Sequence, residues 1–475
     1  MDINEWLVKV TGDIDGFMYT YILLALLVFT GIWYTIRTRA VQIRYIKDMF
    51  TQLTEKKHVE GGHAISSFQA LMVSTASRVG TGNIAGVATA VATGGPGAVF
   101  WMWVMALVGA ASAFIESTLA QIFKVRGKDG EFRGGPAYYI EQGLGHRWLG
   151  IVFAVLLILC FAFGFNGLQA FNAASSLEYY TGKGALGHKA AIACGIVLAV
   201  MTAFVIFGGA RRISVITSII VPVMALVYIA IAMWTTFSNI TDLPAVFGLM
   251  FASAFDWQSI FGGFAGSVVM LGIKRGLYSN EAGMGSAPNA AATADVSHPA
   301  KQGLVQMLSV FIDTLLICSA TAFMCLCSGV VPTPEAAGAA YVQASVQQSL
   351  GSFGPIFIAV SMSLFAFTTL IGNYYYCEGC LKYILKRDPS KAGMTVFRVL
   401  ASLIVFVGAT VSAGLAWDTA DMLQATMVII NVPVILILGN KGVAVLKDYM
   451  RQRSEGKDPQ FHAADIGITG TDFWN

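Results

Sequence analysis

The chain consists largely of apolar runs separated by short polar loops. A run of about 20 apolar residues lets a helix cross the hydrocarbon core of a bilayer. The pattern predicts eleven membrane spans, at residues 17–37, 64–93, 97–123, 148–176, 188–208, 213–237, 257–286, 303–328, 353–384, 394–415 and 420–439. We therefore expect an all-α integral membrane protein.

Two of the predicted spans are interrupted by glycines and polar residues. The first interruption lies in 64–95, at the sequence RVGTGN, and the second lies in 261–288, at the sequence SNEAGMG. Irregular backbone is tolerated at membrane depth only where it is buried in protein or lines a cavity. A pair of glycine-interrupted spans at matching places in two halves points to the binding site of a transporter.

Lysine and arginine are distributed unevenly among the loops. They cluster in alternate loops, at 37–57, 124–133, 211–212, 301, 382–391 and after 441, whereas the opposite loops hold little more than Lys9, Lys183 and Lys189. Loops rich in positive charge lie on the cytoplasmic side of a membrane. The charges therefore predict an N-terminus outside the cell and a C-terminus in the cytoplasm.

The spans divide into two halves of opposite topology. An extra helix, 17–37, precedes a first repeat at 64–237 and a second repeat at 257–439, and each repeat opens with an interrupted span. The first repeat starts inside and the second starts outside, as in inverted-repeat transporters. We expect one transporter domain, 1–450, followed by a hydrophilic and disordered cytoplasmic tail, 451–475.

Two stretches outside the spans predict helices on the membrane surface. Residues 40–62 mix basic and apolar positions, which is typical of an amphipathic helix, here on the inner surface. Residues 332–352 are polar and rich in alanine, and they predict a short helix over the outer vestibule.

Composition excludes several other classes of protein. The 475 residues are 56% hydrophobic and 12% charged, with a mean hydropathy of +0.67, whereas soluble domains carry about 25% charged residues. The net charge of +3 gives no argument for nucleic-acid binding. Nucleotide-binding and hydrolase motifs are absent. Among the seven cysteines, Cys377 and Cys380 form a CxxC, but no second CxxC and no histidine spacing accompanies it, so zinc is not expected. We expect neither enzyme activity nor a cofactor.

Six segments carry a resemblance to a known family. They are TASRVGTGNIAGVATAVATGGPGAVFWMW (75–103), GGPAYYIEQGLG (134–145), FNGLQAFNAAS (165–175), KRGLYSNEAGMGSAPNAAATA (274–294), HPAKQG (298–303) and FAFTTLIGNYYYCEG (365–379). Together they closely resemble the alanine/glycine:cation symporter family, the sodium:alanine symporters of the amino acid–polyamine–organocation superfamily. The resemblance covers about residues 10 to 450.

The resemblance implies a leucine-transporter-like fold, with ten helices in a five-plus-five inverted repeat after one extra N-terminal helix. It also implies sodium-coupled symport of small neutral amino acids, such as alanine and glycine, into the cell across the plasma (inner) membrane by alternating access. Its partners would be the amino acid, a co-transported sodium ion and membrane lipid. A proton-coupled amino acid carrier is the alternative, and a channel or receptor would be excluded by uphill accumulation of substrate.

The first interruption is the predicted substrate site. Its glycines expose backbone amides, and the half-helix that follows directs its positive end at the break, which favours a carboxylate. We expect Gly80 to open the helix and the backbone of Thr81 and Gly82 to hold the α-carboxylate of the substrate. The resemblance implies that Asn83 lies near sodium or that carboxylate. The alternative is a glycine-rich packing interface.

A sodium site is predicted beside this break. The resemblance implies that the carbonyl groups of Ala76 and Val79 ligate the ion. Thr368 and Thr369 lie in an otherwise apolar span, and oxygen ligands suit a hard cation. The two hydroxyls would complete the site if they faced the first break. Alternatively, they bond back to carbonyls of their own helix.

The second interruption supplies candidate contacts for the rest of the substrate. We expect Asn280 to be a polar contact of the substrate. Gly272 and Ile273 would border the side chain of the substrate, and Gly276 would contribute freed backbone. Together they predict a small pocket, suited to alanine and glycine.

Amides and charges at membrane depth are further functional candidates. Asn166 shares a helix face with Gln169, and Gln169 shares one with Asn172. Either Gln169 or Asn166 reaches the substrate, or the amides join helices through hydrogen bonds. The charged residues are Arg78, Glu116, Lys274, Arg275, Glu281, Asp313 and Glu378. Arg78, Lys274 and Arg275 would form gate ion pairs with Glu281, Glu116 or Asp313. Alternatively, Lys274, Arg275 and Glu281 lie in a water-filled inner vestibule. A carboxylate pair would also be able to relay protons.

Overall fold

The computed structural model describes residues 3–55, 64–127, 130–256, 267–333 and 336–474. Among these residues the chain forms helices, loops and one antiparallel sheet, in which β1 (Val125–Arg126) pairs with β2 (Phe132–Arg133). The helices of the first half are α1 (Ile3–Met18), α2 (Leu24–Arg37), α3 (Val41–Arg44), α4 (Ile46–Thr51), α5 (Ser67–Arg78), α6 (Ala85–Gly94), α7 (Gly97–Ile122), α8 (Pro136–Leu144), α9 (Arg147–Ile158), α10 (Asn166–Ser175), α11 (Glu178–Thr181), α12 (Ala185–Ile206), α13 (Gly209–Ser238) and α14 (Leu243–Ala254).

The helices of the second half are α15 (Val268–Asn280), α16 (Pro288–Ala291), α17 (Pro299–Val310), α18 (Ser319–Leu326), α19 (Ala339–Leu350), α20 (Phe353–Leu385), α21 (Lys391–Gly408) and α22 (Ala413–Ser454). Three π-helical turns join α1 to α2, α9 to α10 and α17 to α18 without ending the helix, at Tyr19–Leu23, Leu159–Phe165 and Phe311–Cys318. Single 3-10 turns lie at Gln52–Thr54, Thr81–Asn83, Ile240–Asp242 and Ala463–Ile466.

Nine helical stretches within the described ranges are long and apolar enough to cross a membrane. They are Glu5–Arg37, Gly97–Ile122, Arg147–Thr181, Ala185–Ile206, Gly209–Ser238, Pro299–Leu326, Phe353–Leu385, Lys391–Gly408 and Ala413–Ser454. The two broken segments, α5–α6 and α15–α16, are not among these nine stretches, as expected from their glycines and charges. With them the spans follow the predicted order, and the protein is a multi-pass membrane protein.

Some predicted bounds differ from the structure. The helix predicted at 17–37 already begins at Ile3, and the helix predicted at 420–439 runs from Ala413 to Ser454. In both cases the helix continues through the polar residues that flank its apolar centre. Residues 257–266 of the predicted seventh span lie outside the described part of the chain.

Contacts between helix ends define two sides of the bundle. On the C-terminal side, the backbone amide of Asp295 donates to the carbonyl of Ile65 at 2.9 Å, and Lys301 forms an ion pair with Glu55 at 2.9 Å. This side carries the ends of α2, α7 and α22. The N-terminal side carries the start of α1 together with α14 and α19.

The tail is ordered, so the expectation of disorder is wrong. The amide of Phe461 donates to the carbonyl of Ser297 at 3.0 Å, and the indole nitrogen of Trp474 donates to the carbonyl of Gln121 at 2.7 Å. Phe461 and Trp474 are buried. Burying a large apolar side chain stabilises the fold by about 1.5–3 kcal/mol, which outweighs the polar character of the tail as a whole.

Lys124 lies beneath the tail and joins three elements. Its ammonium group is 4.0 Å from the ring centre of Phe132, 4.5 Å from that of Phe473 and 4.8 Å from that of Trp474. It also donates to the carbonyl of Ala294 at 3.2 Å. Burial lowers the pKa of Lys124 to about 7, because apolar surroundings disfavour the charged form.

The surface segments also form helices. Within 40–62, helices α3 and α4 expose Ile43, Ile46 and Phe50, which fits an apolar face directed at lipid; residues 56–63 lie outside the described ranges. Within 332–352, helix α19 packs on α6 and α20 on the N-terminal side; residues 334 and 335 are likewise outside the description.

Candidate functional site

The first interrupted span is broken where the sequence predicts. Helix α5 ends at Arg78, a 3-10 turn covers Thr81–Asn83, and α6 begins at Ala85. Gly80 is extended, and its amide donates to the side-chain oxygen of Asn83 at 2.9 Å. The break therefore frees backbone groups in the interior of the bundle, as a polar ligand site requires.

Three of the four predicted sodium ligands come together at this break. The hydroxyl of Thr369 donates to the carbonyl of Ala76 at 2.9 Å and to that of Val79 at 3.3 Å. All three residues are buried. A Cβ on Gly80 would lie 2.7 Å from the Thr369 hydroxyl, so only glycine leaves room for this approach.

Thr368 faces elsewhere. Its hydroxyl donates to the carbonyls of Leu364 at 3.2 Å and Phe365 at 3.1 Å, within its own helix α20. The prediction that both hydroxyls face the break is therefore wrong for Thr368, which follows the alternative of back-bonding. Neighbouring residues on a helix point about 100° apart, so both rarely reach one site.

Gln169 and Asn172 fix the other side of the break. The side-chain oxygen of Gln169 accepts from the amide of Thr81 at 2.8 Å and from its hydroxyl at 2.9 Å. The amide group of Asn172 donates to the same hydroxyl at 3.0 Å. Gln169 thus contacts the group that is predicted to receive the substrate carboxylate.

An aromatic cluster covers the break from the N-terminal side. A Cβ on Gly82 would lie only 2.3 Å from the ring of Tyr278. That ring packs against Phe165 at 4.8 Å and Trp417 at 5.4 Å between centroids. The side-chain amide of Gln169 donates to the Tyr278 hydroxyl at 3.1 Å. Sequence reasoning missed Tyr278, although it lies within one of the family-like segments.

The second break is held by a buried carboxylate. After Asn280 the chain turns through Gly283 and Gly285, which have positive φ. Glu116 of α7 accepts from the amide of Gly283 at 3.2 Å and from that of Gly285 at 3.1 Å. The side chain of Asn431 donates to the same carboxylate at 3.0 Å. Glu116 therefore satisfies freed amides, and no described cation pairs with it within 4 Å.

Two predicted pocket residues instead serve helix packing. A Cβ on Gly272 would lie 2.5 Å from the carbonyl of Ala98, and one on Gly276 would lie 3.2 Å from Met105. Both glycines face α7, so their prediction as substrate contacts is corrected. Small residues spaced four apart allow such close approach of membrane helices.

Asn280 and Ile273 remain candidates for the substrate pocket. Both are buried. The side-chain oxygen of Asn280 accepts from the amide of Ala282 at 3.0 Å, while its side-chain nitrogen has no hydrogen-bond partner within the described ranges. A buried donor without a partner is costly, which is consistent with a role in binding.

A chain of hydrogen bonds connects the two breaks to α10 and α20. The hydroxyl of Ser77 contacts Glu281 at 3.1 Å and Asn373 at 2.7 Å. Asn373 donates to the side-chain oxygen of Asn166 at 2.8 Å. Asn166 thus joins helices through its amide, which was one of its two predicted roles. Gly372 allows this contact, because a Cβ there would lie 2.8 Å from the Ser77 amide.

Asn83 and Asp313 form a second polar cluster beside the first break. The amide group of Asn83 donates to Asp313 at 2.6 Å and to the hydroxyl of Ser279 at 3.0 Å. Ser279 also donates to Asp313, and Thr314 does so at 3.0 Å. Within the described chain, every hydrogen bond to this buried carboxylate comes from a neutral side chain.

The cations of α15 pair with residues that the sequence did not suggest. Lys274 forms ion pairs with Asp15 of α1 at 2.5 Å and with Asp421 of α22 at 2.9 Å. Arg275 pairs with Asp421 at 3.0 Å and lies over the ring of Trp417 at 4.1 Å. The expected pairing with Glu281, Glu116 or Asp313 and the expected water-filled vestibule are both wrong, because Arg275 and Asp421 are buried together on the N-terminal side.

Arg78 points toward the second repeat. One of its terminal nitrogens donates to the carbonyl of Gln306 at 3.3 Å, and its other guanidinium nitrogens have no hydrogen-bond partner in the described structure. It forms no ion pair within 4 Å with a described carboxylate.

Two broken helices that expose backbone groups to a buried polar site, inside a bundle of membrane spans, define a secondary transporter rather than an enzyme. The profile of the sodium:alanine symporter family matches residues 4–463. The chain belongs to the sodium:alanine symporter family.

Curated relatives agree with this assignment, and a solved structure shows the fold. The amino-acid carrier protein AlsT of Bacillus subtilis (strain 168) is 48% identical over 470 residues, which are 98% of this chain and 97% of AlsT. The probable sodium/glutamine symporter GlnT of the same organism is 44% identical over 97% of this chain and 94% of GlnT. The crystal structure of MhsT in complex with L-phenylalanine matches with a TM-score of 0.55 at 16% identity, over 86% of this chain and 93% of that one. This match shows the leucine-transporter-like fold with its five-plus-five inverted repeat.

Proposed function

We propose that the protein takes up a small neutral amino acid, alanine or glycine, into the cell together with sodium. The observation that carries this proposal is the approach of the Ala76 carbonyl, the Val79 carbonyl and the Thr369 hydroxyl to one point at the first break. Oxygen atoms of this kind suit a hard cation. Sodium there would replace the hydrogen bonds of Thr369 and brace the break against α20.

The carboxylate of the amino acid would bind next to this cation. The amide and hydroxyl of Thr81 now donate to Gln169, and a substrate carboxylate would take the place of the Gln169 oxygen. The amide of Gly82 and the positive end of α6 add further attraction for an anion. The ammonium group and side chain would face the second break, towards Asn280 and Ile273.

The aromatic ring over Gly82 favours a small substrate. Tyr278 fills the space into which a Cβ on Gly82 would project, and Phe165 and Trp417 support the ring. A methyl group or hydrogen as the substrate side chain requires the least displacement of this cluster. Since a relative is named a probable sodium/glutamine symporter, family membership by itself does not determine the side chain of the substrate.

Sodium and substrate would be coupled through the first break. The ion contacts α5 and α20, whereas the substrate contacts the break itself and α10. Each ligand therefore stabilises the same arrangement of the break and raises the affinity for the other. The opposite sidedness of loop charge supports an N-terminus outside the cell and a cytoplasmic C-terminal side in the plasma membrane.

Asp313 supports the alternative of a proton-coupled carrier. It is a buried carboxylate whose hydrogen bonds come from Asn83, Ser279 and Thr314. Such a group is able to take up a proton without separating an ion pair. Proton coupling at Asp313 and sodium coupling at Thr369 therefore make different predictions for the same transport assay.

The test is uptake of labelled alanine into proteoliposomes that contain the purified protein. An inward sodium gradient is compared with an equal potassium gradient and with an imposed pH gradient. We expect accumulation above the external concentration only with sodium. Accumulation with the pH gradient alone would favour Asp313 as the coupling group, and a failure to accumulate alanine or glycine under any gradient would contradict the proposal.

A further inference from the structure

A cavity of about 250 Å³ that is lined in part by charged side chains opens on the C-terminal side, apart from the site at the two breaks. Its walls are strand β2, the start of α13, the segment after the second break and the last turns of α20. Asn289 and Thr293 line it from the segment that follows the break. The cavity therefore borders the segment that follows the second break.

Positive and negative side chains line this cavity, and all of them except Arg211 form ion pairs. Lys382 pairs with Glu131 at 3.3 Å and with Glu378 at 3.1 Å, and Arg133 pairs with Glu131. Arg211 also lines the cavity. Its guanidinium group forms no hydrogen bond or ion pair with any residue that the structure describes, so it is available to an anionic group.

Acceptors for a cation are present in the same cavity. Glu378 lines the cavity; one of its carboxylate oxygens pairs with Lys382 at 3.1 Å, and the other reaches Arg398 only at 3.9 Å. The side-chain oxygen of Asn289 receives only a weak contact from the Cys380 thiol at 3.9 Å. A weakly satisfied acceptor such as the Asn289 oxygen favours a ligand that supplies a donor.

We infer that this cavity is a second, cytoplasmic subsite for the transported amino acid in its zwitterionic form. Its carboxylate would bind Arg211, and its ammonium group would bind Glu378 and Asn289. A free cation or anion would satisfy only half of this set, whereas a zwitterion satisfies both halves. The inference rests on the proposed function, and it adds a place where substrate is held between leaving the breaks and entering the cytoplasm.

A cytoplasmic subsite affects substrate affinity on one side of the membrane only. Right-side-out membrane vesicles are loaded with increasing unlabelled alanine, and sodium-dependent entry of labelled alanine by exchange is measured. We expect Arg211→Gln to raise the internal half-saturation concentration about fivefold, as loss of one partly exposed charge contact predicts. The external half-saturation concentration should stay at its wild-type value, which also shows that the variant is folded. Arg211→Lys should restore most of the internal affinity.

Arg212→Gln is the matched control. Arg212 is the adjacent cation in the first turn of α13, but it lies over the ring of Phe204 at 4.0 Å and is not among the residues that line the cavity. An unchanged internal half-saturation concentration in Arg211→Gln, or an equal shift in both variants, would overturn the subsite. Absence of any exchange by the wild-type protein would instead contradict the proposed function, and with it the inference.

Discussion

Gly82 is the residue on which the proposed substrate site depends most closely. A Cβ at this position would lie 2.3 Å from the Tyr278 ring, so Gly82→Ala has to displace an aromatic side chain that is packed on both sides. We predict that Gly82→Ala lowers the affinity for alanine by about five- to 150-fold, since overpacking costs about 1–3 kcal/mol. Binding of labelled alanine to the purified variant measures the change.

Gly167→Ala serves as the control for Gly82→Ala. Its Cβ would lie 3.8 Å from the nearest atom, Gly408 Cα, and Gly167 belongs to α10, which also carries Gln169. We expect wild-type affinity in this variant. Wild-type affinity in Gly82→Ala as well would argue against a carboxylate site at the break.

Two neighbouring threonines show which part of the site the sequence alone does not predict. The pair Thr368 and Thr369 is visible in the sequence as two hydroxyls in an apolar span, but the sequence does not tell which one faces α5. That choice depends on the rotation of α20, which is fixed by the contact of Gly372 with Ser77. Thr369 and the carbonyl groups of α5 come together as predicted, whereas Thr368 bonds within its own helix.

At the scale of elements, glycines in broken helices have two distinct functions. Those of the first break open the chain, whereas Gly272 and Gly276 let α15 approach α7. Both kinds look alike in the sequence, because a glycine pair four residues apart suits either a pocket or a helix interface. The two functions are distinguished only by the direction in which a Cβ on the glycine would point.

This distinction predicts the effect of Gly272→Ala. The new Cβ would lie 2.5 Å from the carbonyl oxygen of Ala98 and 2.6 Å from Trp101, so α15 and α7 must separate. We expect a loss of about 1–3 kcal/mol in stability, seen as a lower thermal unfolding midpoint of the purified protein. The alanine affinity of the folded fraction should change little, in contrast to Gly82→Ala.

Gly248→Ala in helix α14 is the control, because no atom lies within 4 Å of its Cβ position. Alanine is the better helix former, so this variant should be at least as stable as the wild type. A large loss of alanine affinity in Gly272→Ala at unchanged stability would instead show that Gly272 lines the substrate pocket.

At the scale of the whole molecule, long-range partners were the least predictable feature. Lys274 is visible in the sequence as a charge near a break, but its partners Asp15 and Asp421 lie in the extra helix and in the last span. The tail was expected to be disordered because it is hydrophilic overall. Its few aromatic residues, Phe461 and Trp474 among them, were the signal for packing against the C-terminal side.

The proposed orientation of the molecule is testable with two matched cysteine substitutions. Ser238 ends α13 on the N-terminal side and Ser454 ends α22 on the C-terminal side, and both are exposed. We expect a membrane-impermeant maleimide to label Ser238→Cys in intact cells and Ser454→Cys only after permeabilisation. The wild type supplies the background, since its seven cysteines are buried or half-buried. The reverse pattern would contradict the orientation.

The central claim is that sodium bound at the first break drives uptake. The most direct test compares Thr369→Ala with Thr368→Ala in proteoliposomes, by the sodium concentration that gives half-maximal alanine uptake. We predict a rise of about tenfold or more for Thr369→Ala, because an oxygen that contacts a buried cation contributes about 1.5–3 kcal/mol. Thr368→Ala should behave as the wild type. Equal sodium dependence in the two variants would contradict the account.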